Sequence, residues 1–237
     1  MNMNVTVEKT PRQTLSRFVL NNVNYVNITH LPIHSLDTVV YSCDELNQSV
    51  GTNKAIPHVA ARNIKSMNEL DSFIEFSKRK KINKALVIGG AIKKSNVFEN
   101  AYDVARILRN EGFHIYCGLY PQSEKWFPKI ENKLNFYNGG ITQLCFDTDT
   151  INELPLNDKI RIGISSISTP QGIYKYLKLC GEGSWKYIFQ NWRAIKYISH
   201  KSFKINKLLS AIKFDKYHIY NFGKLEQTIE EIHSYEY

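Results

Sequence analysis

A polar or glycine residue stands at or just after the end of each of eight short β-rich runs: Glu8, Thr29-His30, His58 with Arg62, Gly89-Gly90, Tyr120, Gln143 with Asp147, Ser165-Ser166 and Asn221. Together they outline a pocket with a carboxylate from the first run, imidazoles from the second and third, and amides further round. Glu8 carries the most chemistry. Next to Thr10-Pro11 and beside apolar Val5 and Val7, an enclosed carboxyl would hold a raised pKa and act as a general acid. A surface glutamate before a turn is the competing reading, and the residues leave both open. Gly89-Gly90 either admits a phosphate or flat ring close to the backbone, or is simply a turn.

The elements that must position these residues alternate. The strand-like runs are Val5–Glu8, Tyr25–Thr29, Ile56–Ala60, Ala85–Ile88, His114–Leu119, Ile141–Phe146, Arg161–Ser165 and His218–Phe222. Several are nearly continuous in apolar, β-branched or aromatic residues, as strands buried on both faces are. Helical periodicity fills the gaps at Ser35–Leu46, Met67–Lys78, Ala101–Asn110 and Gln171–Leu179. In Met67–Lys78 a stripe of Leu70, Phe73, Ile74 and Phe76 ends in a basic cluster suited to a helix C-terminus. Eight β–α units without a G-x-G-x-x-G turn favour a closed (β/α)₈ TIM barrel over an open sheet. The chain is expected to be one domain over residues 1–237, with two or three extra helices in the 181–214 insert before the last strand. In such barrels the active site lies at the C-terminal strand ends, where the polar residues stand. His30, His34 and His58 do not make a metal site in this reading, because the first strand lacks the His-x-His of metal-dependent barrel hydrolases.

Bulk composition narrows the partners. The net charge of +9 suits an anionic small molecule. Lys78-Arg79-Lys80-Lys81 and Lys93-Lys94 carry no interleaved aromatics and no nucleic-acid motif, so nucleic acid is not expected. No run nears the roughly 18 apolar residues of a membrane span, and no signal-peptide pattern opens the chain, so a soluble cytoplasmic protein is expected. Cys43, Cys117, Cys145 and Cys180 are far apart and read as buried, reduced thiols. Self-association is left open.

At this point the residues resemble the methylenetetrahydrofolate reductase family, in a short, divergent branch. Val7-Glu8-Lys9-Thr10-Pro11-Arg12 is similar to the family's F-E-F-F-P-P opening, and Ile56-Pro57-His58 to its third-strand P-H. Tyr120-Pro121 resembles the Y-P after the fifth strand, and Ile141-Thr142-Gln143-Leu144-Cys145-Phe146-Asp147 the I-T-Q-x-x-F-D of the sixth. His58-Val59-Ala60-Ala61-Arg62 and His218-Ile219-Tyr220-Asn221-Phe222 resemble the shorter branch. The resemblance implies an oxidoreductase of one-carbon metabolism that interconverts 5,10-methylene- and 5-methyl-tetrahydrofolate. It makes Glu8 the proton donor and gives Gln143, with Tyr120, the folate. Thr29, His58, Gly89, Gly90, Tyr120 and Lys133 would face FAD, with NAD(P)H as an electron donor. Two departures weaken the flavin side. Gly89-Gly90-Ala91 replaces the family's R-G-D, and Gln122-Ser123-Glu124-Lys125 replaces E-x-H-P. A flavin-free, tetrahydrofolate-dependent methyltransferase or demethylase is therefore the alternative.

Overall fold

Alternation along each strand decides which side chains face the helices and which face the barrel. In the first strand Val5, Val7 and Lys9 are buried on one side, while Thr6 and Glu8 take the other. The computed structural model describes residues 4–90, 92, 97–120, 127–145, 147–155, 158–166 and 205–234. Its eight parallel strands are β1 (Asn4–Lys9), β2 (Tyr25–Ile28), β3 (Ala55–Ala60), β4 (Lys84–Ile88), β5 (His114–Leu119), β6 (Gly139–Thr142), β7 (Ile160–Ser165) and β8 (Lys216–Tyr220). They pair in sequence order, and β8 closes on β1 through Thr6↔His218 and Val7↔Ile219. The expected closed barrel is therefore present, with Glu8 in its first strand and Tyr220 in its last.

The described helices are α1 (Arg17–Asn21), α2 (Leu36–Val50), α3 (Met67–Arg79), α4 (Ala101–Asn110), α5 (Phe127–Phe136), α6 (Thr148–Asn152), α7 (Ile205–Leu209) and α8 (Leu225–Ser234). Their ends are chemically marked. Ser66 accepts from the Glu69 backbone N–H to cap α3, which closes on Lys78 and Arg79. The Asn100 side chain caps α4. The apolar stripe of α3 buries Leu70, Phe73, Ile74 and Phe76 against the outer face of the barrel, as its periodicity predicts. That outer layer holds most of the core, whereas Ile56, Leu86 and Ile141 form a separate small cluster inside the barrel.

Three elements differ from the sequence reading by more than one residue at an end. β6 begins at Gly139 and ends at Thr142 rather than spanning 141–146. A Cβ at Gly139 would lie 2.9 Å from the Lys159 carbonyl oxygen and one at Gly140 2.7 Å from Leu119 Cγ, so close packing requires glycines that read as breakers. β8 covers Lys216–Tyr220 rather than 218–222, because Asn221 and Phe222 turn toward Gly223 and the Phe222 N–H is taken by the Ser166 hydroxyl. α2 runs on to Val50, where Gly51 stops it in the left-handed region (φ 68°). The 171–179 helix and most of the 181–214 insert lie outside the described residues.

Candidate active site

Closure of β8 on β1 and the inward alternation of β1, β3 and β8 bring one carboxylate and two imidazoles together at the mouth. Glu8 Oε2 lies 3.9 Å from His58 Nε2 and 3.9 Å from His218 Nε2. The two histidines are buried, whereas the Glu8 side chain remains 21% exposed near the C-terminal end of β1. His218 Nδ1 lies 2.9 Å from the Thr6 hydroxyl, which also reaches the Tyr217 carbonyl. When that hydroxyl donates to the carbonyl, its oxygen accepts from Nδ1 and the ring points Nε2 at Glu8. Tyr220 packs edge-on against His218 at 4.8 Å and is itself fixed by its hydroxyl on the Thr142 carbonyl.

The electrostatics of this trio correct the expectation for Glu8. Val5 and Val7 face away from the carboxyl. Burial does act to raise its pKa, but the polar contact with His218 and the charges of His58 and His218 outweigh it. Glu8 titrates below its ordinary range. Burial lowers His58 to about 4, with the Glu8 carboxylate partly opposing and His218 adding to the drop. Glu8 is thus an ionised carboxylate beside a neutral His58 at neutral pH, not an acid holding its own proton.

The other sequence-selected residues group in two places. On one side, Thr29 and His30 follow β2. The Thr29 hydroxyl is buried without a partner, and His30 Nδ1 accepts from the Ala60 N–H while Nε2 is left unpaired. Burial lowers His30 to about 4. On the other side, Lys133 of α5 donates to the Gly118 carbonyl and lies 5.9 Å over the ring of Tyr120, which is 39% exposed. The Tyr120 hydroxyl leans toward Gly118 on the inner face. Gln143 is half-buried just past β6, two residues on from inward-facing Ile141, and its N–H extends the ladder to Leu119.

Gly89-Gly90 does not present bare backbone. A Cβ on Gly89 would meet the Arg62 guanidinium at 3.4 Å, and Arg62 donates to the Gly90 carbonyl. Gly90 occupies positive φ (87°), with Asn63 Oδ1 3.0 Å from where a Cβ would sit, so glycine is required there for both conformation and space. Ala91 lies outside the described residues. Ser165, Ser166 and Asn221 are spent on local backbone hydrogen bonds. Among the described residues, no group of three His, Cys, Asp or Glu side chains is arranged to hold a metal ion, and no helix is long and apolar enough to cross a membrane. Cys43, Cys117 and Cys145 are buried, and Cys180 lies outside the described residues.

The residues missed by strand-end reasoning are His218, Thr6 and Tyr220. The available signal was the alternation in Lys216–Tyr220, which puts His218 and Tyr220 on the same side of their strand.

This architecture defines the (β/α)₈ barrel class. Among solved structures, the chain is similar to a mutant tryptophan synthase alpha-subunit from Pyrococcus furiosus, at 11% identity over 98% of both chains with a TM-score of 0.55. It is similar also to a chain of the tryptophan synthase complex of that organism, at 10% identity over 98% of both chains with a TM-score of 0.53. At such identities the likeness is one of fold. No protein-family model and no curated protein sequence matches the chain.

Proposed function

We propose that this barrel is a folate-dependent one-carbon oxidoreductase that interconverts 5,10-methylene- and 5-methyl-tetrahydrofolate. The observation that carries the proposal is the convergence of Glu8 with His58 at the barrel mouth, the two positions at which the reductase-like motifs put a proton donor and a cofactor-facing histidine. Gln143 and Tyr120, at the ends of β6 and β5, are the groups assigned to the folate. Reduction adds a hydride to the methylene carbon, which stays on N5 as the methyl group, and a proton to N10, the nitrogen released as the bridge opens.

That proton must first reach Glu8, because the resting carboxyl is ionised. A pterin seated over Glu8 would strip water from its remaining exposed surface. Desolvation, already the largest influence on this carboxyl, would then favour its neutral form, so that Glu8 takes up a proton as the folate enters. Glu8 passes that proton to N10 and regains one from solvent in the next cycle. The flavin fit is poorer. The Thr29 hydroxyl is buried and Lys133 stands on the other side, bonded to the Gly118 carbonyl, while Arg62 packs over the face of Gly89 where a flat ring would approach the backbone. No step here depends on a resident flavin, and a nicotinamide or an exchanging reduced flavin serves as hydride donor.

Arg62 on Gly89 also favours a second reading, flavin-free methyl transfer onto tetrahydrofolate. Calorimetric titration with tetrahydrofolate tests what the two readings share, since both require binding that weakens in Gln143→Ala. Absence of binding would overturn both. Formation of methyl-tetrahydrofolate from a methyl donor without any reductant would select the second.

A further inference from the structure

The N-terminal end of the barrel, opposite the Glu8 mouth, carries Lys84 and Arg161 on its strands. Lys84 opens β4 and Arg161 is the second residue of β7. Lys84 donates to the Tyr25 hydroxyl at 2.8 Å, and Arg161 Nη2 donates to Asn4 Oδ1 at 3.2 Å with its guanidinium 6.0 Å over the ring of Tyr116. Among the described residues, no carboxylate pairs with either. A guanidinium drawn into a barrel interior normally meets an anion, because an uncompensated buried charge is costly.

Between these residues lies a narrow cavity lined by Thr6, Tyr25, Asn27, Tyr116 and Arg161 over the apolar floor of Ile56, Leu86 and Ile141. Two of its polar groups lack partners. Asn27 is fully buried with both amide atoms unbonded, and Arg161 Nε is buried and unbonded. The Tyr25 hydroxyl, having accepted from Lys84, keeps its own proton to donate. The residues that carry guanidinium, amide and phenol donors thus line a cavity with room for little more than a water-sized species.

We propose that this cavity is a binding site for a monatomic anion of the chloride class, held by Arg161, Asn27 and Tyr25 and independent of the chemistry at the mouth. Thermal unfolding of the full chain in sodium chloride against sodium gluconate at equal ionic strength tests it. The expected result is a saturable, chloride-specific rise in Tm of about 5 °C or more at concentrations about 100-fold above half-saturation. Arg161→Met should abolish that difference. Crystals grown in bromide should show an anomalous peak within hydrogen-bonding distance of Arg161 and Asn27, a readout that stands if the variant fails to fold. Equal stabilisation by chloride and gluconate, or no bromide peak at Arg161 in wild-type crystals, would overturn the proposal.

Discussion

Gly163→Ala tests the packing that carries His218 to the mouth. A Cβ at Gly163 would press into the Thr142 carbonyl oxygen and lie 2.7 Å from Tyr220 Cε2. The carbonyl belongs to β6 backbone and cannot rotate away, so β6 or β7 must shift. Two contacts are at risk: the hydrogen bond from the Gly163 N–H to the Thr142 hydroxyl, and that from the Tyr220 hydroxyl to the Thr142 carbonyl. Overpacking of this kind costs about 1–3 kcal/mol, and each lost hydrogen bond about 0.5–1.5 kcal/mol. At about 2–4 °C per kcal/mol for a chain of this size, the Tm should fall by on the order of 10 °C. Gly51→Ala is the control: it has nothing within 4 Å and pays only for its positive φ, about 1 kcal/mol. Thermal unfolding followed by circular dichroism measures both. A Gly163→Ala protein within about 2 °C of wild type, or no less stable than Gly51→Ala, would refute the tight β6–β7–β8 packing behind His218.

Acid sensitivity follows from the neutral histidines. His30 and His58 titrate near 4 when folded, below the value of about 6.5 of an unfolded chain. Their stability contribution is present above pH 6.5 and is lost as pH falls toward 4, because the unfolded state binds the protons, at up to about 1.4 kcal/mol per pH unit per group. In His30→Asn, whose amide oxygen can still accept the Ala60 N–H, the urea midpoint should fall less between pH 7 and pH 5 than in wild type; an unchanged fall would count against a buried neutral His30. Cys43 and Cys117 sit in environments that raise their thiol pKa values, Cys117 to about 12. Peptide mapping after maleimide treatment at pH 8 should find both unlabelled in the native protein and labelled in urea, whereas rapid native labelling would contradict their burial. Flavin should bind at least tenfold more weakly than to a protein that offers an open glycine face, as expected from about 1.4 kcal/mol of lost contacts. Fluorescence titration giving tight stoichiometric binding would show that Arg62 yields the face of Gly89.

The barrel was legible because its physics is local. β-branched runs of five or six residues, capped helices and glycine stops alternate without interruption, and only β6 and β8 were displaced. There Gly139-Gly140 opens a strand because neighbouring chains press too close for a Cβ, a condition invisible along the sequence. Glu8 was legible as a polar residue near a strand end, and His58, inside β3, through its Pro-His dipeptide. His218 was not, since it lies inside a strand and reaches the mouth through closure of β8 on β1. Val5 and Val7 misled for the same reason: adjacent in sequence, they face the helices while Glu8 faces the imidazoles. The packing of Arg62 over Gly89 was not legible, because that side chain comes from a different strand end.

The central claim rests on Glu8 as the group that hands a proton to a folate nitrogen. Its most direct test is reduction of 5,10-methylene-tetrahydrofolate by wild type and Glu8→Gln, with NADH, NADPH or reduced flavin as donor and 5-methyl-tetrahydrofolate quantified as product. The wild type should form the product with at least one donor, and Glu8→Gln should be slower by about 10²–10⁴-fold with folate binding nearly intact. Equal rates in the two proteins would remove Glu8 from the mechanism, and no product from the wild type with any donor would contradict the reductase function itself.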